Sequence, residues 1–239
     1  MISRRARLAV LDSVSKVVDR GRARAMSALA LYLARPVDHF ATLASHDQEA
    51  LAAVLHRGDV LLCAGNTRCA EIVKRLTRSN WSHVSMYVGP MEHASDPLCV
   101  VEADIAEGVR AIRLSELGAH RVRVLRAVGL DDAERARLVE TVLRHIGSGY
   151  DHAHAWQLAR SLLLRRWWRR LRSVPVTMGR GATRFICSSL VTHAFAMIGH
   201  SLRPASGRTN GGDAGAVVPA DFERAALFAI VWPTHAADA

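Results

Sequence analysis

The segment Arg184-Phe185-Ile186-Cys187-Ser188-Ser189-Leu190-Val191 constrains this chain more than any other, because it sets a thiol where a short apolar approach turns into a helix. Cys187, Leu190, Val191, Ala194 and Ile198 recur at helical spacing, and Gly199 stands where that helix would stop. A cysteine on the first turn faces unpaired backbone N–H groups and the positive end of the helix dipole. Both favour thiolate over thiol, so such a cysteine is poised to be a nucleophile. A buried cysteine can also be a plain small hydrophobe. The choice between the two turns on whether a base and a carboxylate are supplied upstream.

Both are present on strand-like segments. In Trp81-Ser82-His83-Val84-Ser85-Met86-Tyr87-Val88-Gly89, the residues His83, Ser85 and Tyr87 alternate with Val84, Met86 and Val88. A strand would bury the second set and present the first, with His83 beginning the polar face. Cys99-Val100-Val101-Glu102-Ala103-Asp104-Ile105 reads as a second strand, with Glu102 and Asp104 on one face and Val101, Ala103 and Ile105 on the other. Side by side, the two strands could set a carboxylate against the imidazole while the helix brings Cys187 to the other ring nitrogen. In a Cys-His-acid site the base takes the thiol proton and the third group fixes the ring's tautomer and orientation. Taken singly, each strand could instead be the half-exposed edge of a sheet.

Six motifs follow one another along the chain. They are Gly58-Asp59-Val60-Leu61-Leu62; Ser82-His83-Val84 with Tyr87-Val88-Gly89; Val101-Glu102-Ala103 with Gly108-Val109; Tyr150-Asp151; Phe185-Ile186-Cys187-Ser188; and Val218-Pro219-Ala220-Asp221 with Phe228. In this order they resemble the circularly permuted papain-like (NlpC-type) cysteine hydrolases, in which the histidine precedes the cysteine. The nearest branch is the YaeF/YiiX-like amidases, with the lecithin-retinol acyltransferase-like enzymes as relatives. The resemblance runs from about residue 55 to about residue 232. It implies Cys187 as nucleophile, His83 as base and Glu102 as the polar third member. It also implies an α+β fold in which a small antiparallel sheet packs on the nucleophile-bearing helix.

With 239 residues the chain can bury one sizeable core. The expected organisation is a basic helical extension over residues 1–50 and a hydrolase domain over 51–239. The cysteines at 63, 69, 99 and 187 form no C-x-x-C pair and no dense framework, which fits a reducing, cytoplasmic setting and a free catalytic thiol. Cys63 and Cys69 have no matching His/Cys pair nearby for zinc, and His145, His152 and His154 read as packing or solvated histidines rather than ligands. No metal or other cofactor is expected. Arg121–Ala127 alternates as a further strand, and Asp131-Asp132-Ala133-Glu134 resembles a capping box opening a helix that runs to Ile146, with Gly147 as its stop. The glycine-rich stretch 207–215 lacks the Gly-Lys-Ser/Thr ending of a phosphate loop.

A formal charge of +10 comes largely from arginines at residues 4–24 and 160–184. The first cluster belongs to an amphipathic segment through Leu8, Leu11, Val14 and Val18, without the long apolar stretch or cleavage site of a signal peptide. No segment reaches the roughly 20 apolar residues of a membrane span. Residues 156–172 place Trp156, Leu163, Leu164, Trp167, Trp168 and Leu171 in one broad sector with most arginines outside it. Such a helix could lie in an anionic membrane surface, the basic N-terminus assisting, or could pack its apolar face on the core. No nucleic-acid module accompanies it, so specific nucleic acid is not expected as a partner.

The expected activity is amide cleavage, of a peptide or acyl amide, through an acyl-thioester on Cys187. The alternatives are a lipid acyl hydrolase or acyltransferase at a membrane surface, and a catalytically idle membrane-surface binding module.

Overall fold

The computed structural model describes residues 28, 31–37, 48–118, 120–152, 154–157, 159, 184–202 and 217–233. The basic segment up to residue 27, the glycine-rich stretch 207–215 and residues 160–172, with Trp167 and Trp168, lie outside the described residues.

Strands β1 (Val60–Ala64), β2 (His83–Tyr87), β3 (Leu98–Asp104), β4 (Gly108–Arg113), β5 (Arg121–Ala127) and β8 (Phe228–Trp232) form a six-stranded antiparallel sheet in the order β4-β3-β2-β1-β5-β8. Helix α1 (Gln48–Val54) precedes it, and α2 (Arg68–Thr77) joins β1 to β2. Helix α3 (Asp132–Leu143) follows β5, and the short parallel pair β6 (Gly149–Tyr150) and β7 (Arg184–Phe185) leads into α4 (Cys187–Met197). Helix α5 (Pro219–Arg224) precedes β8. This is the α+β arrangement expected of a permuted papain-like fold, with the sheet packed on the cysteine-bearing helix.

Period-two alternation decides which side chains meet that helix. Val60, Leu62, Val84, Met86, Val101 and Ala103 point to one face, where Leu190, Val191, Ala194 and Phe195 of α4 and Leu138 and Val142 of α3 cover them. Leu190, Val191, Ala194 and Phe195 are at most 1% exposed, so truncating Phe195 to alanine would cost about 3–5 kcal/mol. The α4 stripe ends as its sequence dictates, with Gly199 at φ +88° beyond the last turn.

The opposite face departs from the sequence expectation. Its residues Leu61, Cys63, Val100, Ile112, Val122 and Val124 form a second core with Leu51 and Leu55 from the α1 region and with Leu114 and Leu117 of a short 3₁₀ turn. The strands β2 and β3 are therefore interior, not half-exposed edges, and Ser85 and Glu102 are buried. Alternation alone cannot show a second covering layer that is built from residues far away in sequence.

Asp59 explains part of the Gly58-Asp59 motif in structural terms. Its fully buried carboxylate takes the His56 N–H at 2.8 Å and the Arg126 guanidinium at 2.9 and 2.7 Å. Arg126 also donates to the Val54 carbonyl at 2.6 Å. One ion pair thus ties α1, β1 and β5 together, and removing Arg126 would strand the buried Asp59 carboxylate at a cost of about 3–5 kcal/mol.

Helix α3 opens on the expected capping box, Asp131 with Glu134, but ends at Leu143, three residues short of Ile146. Helix α2, β4 and β8 had no counterpart in the sequence reading. Among the described residues no helix is long and apolar enough to cross a membrane.

Candidate active site

Cys187 is the first residue of α4, after Ile186 in extended conformation. The Ser189 hydroxyl bonds both the Ile186 N–H (2.9 Å) and the Ile186 carbonyl (3.0 Å), closing the first turn and fixing where the thiol points. The Cys187 sulfur accepts from the backbone N–H groups of Ser188 and Val84. One of those donors is an orphan of the helix terminus; the other comes from the start of β2.

His83 is the first residue of β2, opposite Cys63 of β1. The β2–β3 register pairs Met86 with Val101, which makes His83 and Glu102 diagonal neighbours on one face. Their side chains meet, His83 Nε2 to Glu102 Oε2, at 2.8 Å. Cys187 is hydrogen-bonded to the same imidazole, and since Glu102 holds Nε2, Nδ1 is the nitrogen left to the thiol.

The electrostatics follow from this chain of contacts. Burial pushes the Cys187 thiol up, but the hydrogen bond and charge of His83, then the two backbone N–H donors, carry it below its ordinary value. Burial pushes His83 down, yet Cys187 and then Glu102 hold it well above the ordinary imidazole range. Glu102 is also penalised by burial, but His83 and then Arg110 draw its pKa to about 2. The favoured state is thiolate, imidazolium and carboxylate in a row. The other cysteines go the opposite way, burial raising Cys63 to about 12 and Cys69 to about 11.

Arg110 is the site residue that sequence reasoning missed. It stands directly opposite Glu102 in the β3–β4 ladder and grips Oε1 with Nε at 3.0 Å and a terminal guanidinium nitrogen at 2.9 Å. The turn between these strands requires Gly108, whose φ is +82° and whose Cβ would lie 2.4 Å from the Ser148 carbonyl. The available signal was the pairing of acid and base across a Gly-containing hairpin, which needs the turn to be recognised first.

Two cavities meet at Cys187. One, of about 350 Å³, has a mixed lining that includes His83, Glu102, Arg110 and Asp104. The other, of about 230 Å³, is lined by Ile72, Val73, Leu76, Ile105, Trp156 and Pro219 among others, and neither His83 nor Glu102 reaches it. Cys69, Tyr150 and Cys187 border both.

The histidines considered as ligands are dispersed. His145 packs on Phe185 and His193, and His152 on Tyr150. Among the described residues no group of three or more His, Cys, Asp or Glu side chains is placed to hold a metal ion.

The family model described as "Permuted papain-like amidase enzyme, YaeF/YiiX, C92 family" matches residues 54–204. A solved structure, the metalloprotein yiiX from Escherichia coli O157:H7, has a similar fold: the TM-score is 0.51 at 17% identity, over 74% of this chain and 97% of that one. Comparison with curated proteins finds no match.

Proposed function

The chain belongs to the permuted papain-like amidases of the YaeF/YiiX type, a family of thiol hydrolases, and on that premise we propose that it cleaves an amide through an acyl-thioester on Cys187. His83 is the acid–base and Glu102 holds its ring. The observation that carries this assignment is one imidazole held between a carboxylate, at 2.8 Å, and the thiol of the helix terminus.

The Cys187 thiolate attacks the amide carbonyl, and the negative charge that develops on oxygen meets the Cys187 backbone N–H. Tyr150 is a second candidate donor, since burial first and the nearby Cys187 next push its phenol well above the ordinary range and keep it protonated. The His83 imidazolium gives its proton to the departing amine, leaving a neutral imidazole and the acyl-thioester. His83 then takes a proton from water, the resulting hydroxide attacks the thioester, and the acid leaves with Cys187 restored as thiolate.

Glu102 limits the ring to one orientation and stabilises its charged form, as the acid does in other nucleophile–base–acid sites. Cys187→Ala and His83→Ala should each lower kcat/KM for an acyl amide by about 10⁴-fold or more, and the double variant should be little worse than either single one. Additive losses would refute a shared mechanism.

A second reading, an acyl-ester hydrolase or acyltransferase at a membrane surface, is favoured by the apolar cavity that opens on Cys187. The two readings share the acyl-thioester and differ in the leaving group and the acceptor. An idle binding module would have no use for an imidazole held between a carboxylate and a thiol.

A further inference from the structure

We propose that residues 31–37, N-terminal to the matched region 54–204, form a strap that is part of the active-site wall, and that Leu33 and Ala34 set the width of the group admitted beside Cys187. The strap acts on access to the thiol and so goes beyond amide cleavage, holding for any acyl group or acceptor.

The sequence fastens this segment locally. Residues 31–34 form a helical turn, and Pro36 ends it, because a proline disfavours helical conformation in the residue before it. The chain at Pro36 then makes an antiparallel bridge with Thr67. The Val37 N–H donates to the Asn66 carbonyl at 2.8 Å, and the Arg68 N–H donates to the Arg35 carbonyl at 3.2 Å. Arg68 is the first residue of α2, so its N–H is one of the donors that a helix start leaves unpaired, and the Arg35 carbonyl satisfies it. The Arg68 guanidinium lies over the Tyr32 ring, 4.6 Å from the centroid. The strap is thus held to the end of α2 from which Cys69 borders both cavities.

Its inner residues reach the site. Leu33 lines the cavity of about 230 Å³ and Ala34 the cavity of about 350 Å³, so two consecutive residues border the two spaces that meet at Cys187. Both are half-buried, whereas Leu31 and Tyr32 before them are 61% and 52% exposed. A segment with one residue on each cavity has to cross their common border, which is where a bound acyl group and its leaving group are joined. Side-chain volume at 33 and 34 therefore subtracts directly from the room left beside the thiol.

Two alkylating agents with the same reacting carbon and leaving group separate width from reactivity: iodoacetamide and N-(diphenylmethyl)iodoacetamide. In each, the Cys187 thiolate displaces iodide and forms a thioether, so no turnover is needed, and a protein that fails to cleave amides still gives the answer. Second-order rates at Cys187 in the full chain are read by peptide mass spectrometry, and the bulky-to-small rate ratio is compared between variants. Leu33→Ala should raise that ratio by about tenfold, and Leu33→Trp should lower it by about as much. Val37→Pro, which removes the donor to the Asn66 carbonyl, should raise it as well. Opposite shifts in Leu33→Ala and Leu33→Trp separate a wall residue from a general loss of folding, which would move both the same way. A ratio unchanged in the Leu33 variants, or shifted in one direction by both, overturns the proposal, as does an unchanged ratio in Val37→Pro.

Discussion

Glu102 and Arg110 face each other across the β3–β4 ladder, and the guanidinium takes one carboxylate oxygen at 2.9–3.0 Å while His83 takes the other at 2.8 Å. The carboxylate that orients the imidazole is therefore itself oriented. Both oxygens are committed, and the ring can turn only if one of these contacts breaks.

Arg110 then acts as a positioning residue. Arg110→Gln frees one of the two committed Glu102 oxygens, so the carboxylate and the ring it holds are oriented less firmly. The expected result is a roughly 10-fold loss in kcat with little change in KM, partial recovery in Arg110→Lys, and an alkaline limb of the pH profile shifted upwards, because a carboxylate no longer compensated by Arg110 favours the imidazolium more. A loss confined to KM, with the limb unmoved, would assign Arg110 to substrate binding instead.

The ionisation pattern predicts selective chemistry at one thiol. Near neutral pH, iodoacetamide should modify Cys187 at least tenfold faster than Cys63 or Cys69, both of which burial pushes up, to about 12 and about 11. The Cys187 rate should fall in His83→Ala, because the imidazolium that favours the thiolate is gone. Comparable alkylation of all the cysteines would contradict the thiolate–imidazolium pair.

Glu102 also makes a statement about stability. Its folded pKa of about 2 lies below the ordinary carboxylate value of 4.5, so its contribution is fully present above the unfolded value. That contribution is lost as pH falls towards the folded value. Denaturant unfolding followed from pH 6 to pH 2 should therefore lose on the order of 2–3 kcal/mol through this group, and Glu102→Gln should flatten the decline. An identical slope in the variant would show that Glu102 is not the titrating group.

The arginine- and tryptophan-bearing stretch 156–172 carries a separate proposal of membrane-surface contact. Binding to vesicles should rise with anionic lipid, weaken with salt, and drop in the Trp167→Ala/Trp168→Ala double variant while the fold survives. A chain shortened to begin near Gln48 isolates this stretch from the basic N-terminus. If the shortened protein ignores anionic vesicles, the stretch is not a membrane contact.

The legible parts of the molecule were those whose signal is local. The Cys187–Ile198 periodicity, the Asp131/Glu134 capping box and the alternation at Arg121–Ala127 each reappear within a residue or two of the helix or strand starts they mark. The alternation that paired His83 with Glu102 was legible for the same reason, since diagonal neighbours need only two adjacent strands in register. What stayed hidden depends on distant partners. The cover over Leu61, Cys63 and Val100 comes from Leu51, Leu114 and Leu117, and the Arg110 contact depends on the Gly108 turn. Helix α2 carries a local signal that the sequence reading passed over, since Cys69, Ile72, Val73 and Leu76 recur at i, i+3, i+4 and i+7 after the Thr67 cap.

The central claim is that the acyl group passes through Cys187. Acid quenching of the protein during turnover of an activated N-acyl amide, followed by peptide mass spectrometry, should reveal the acyl mass on Cys187 in the wild type and none in Cys187→Ala. Acyl mass on another residue, or steady turnover by Cys187→Ala, would contradict the account.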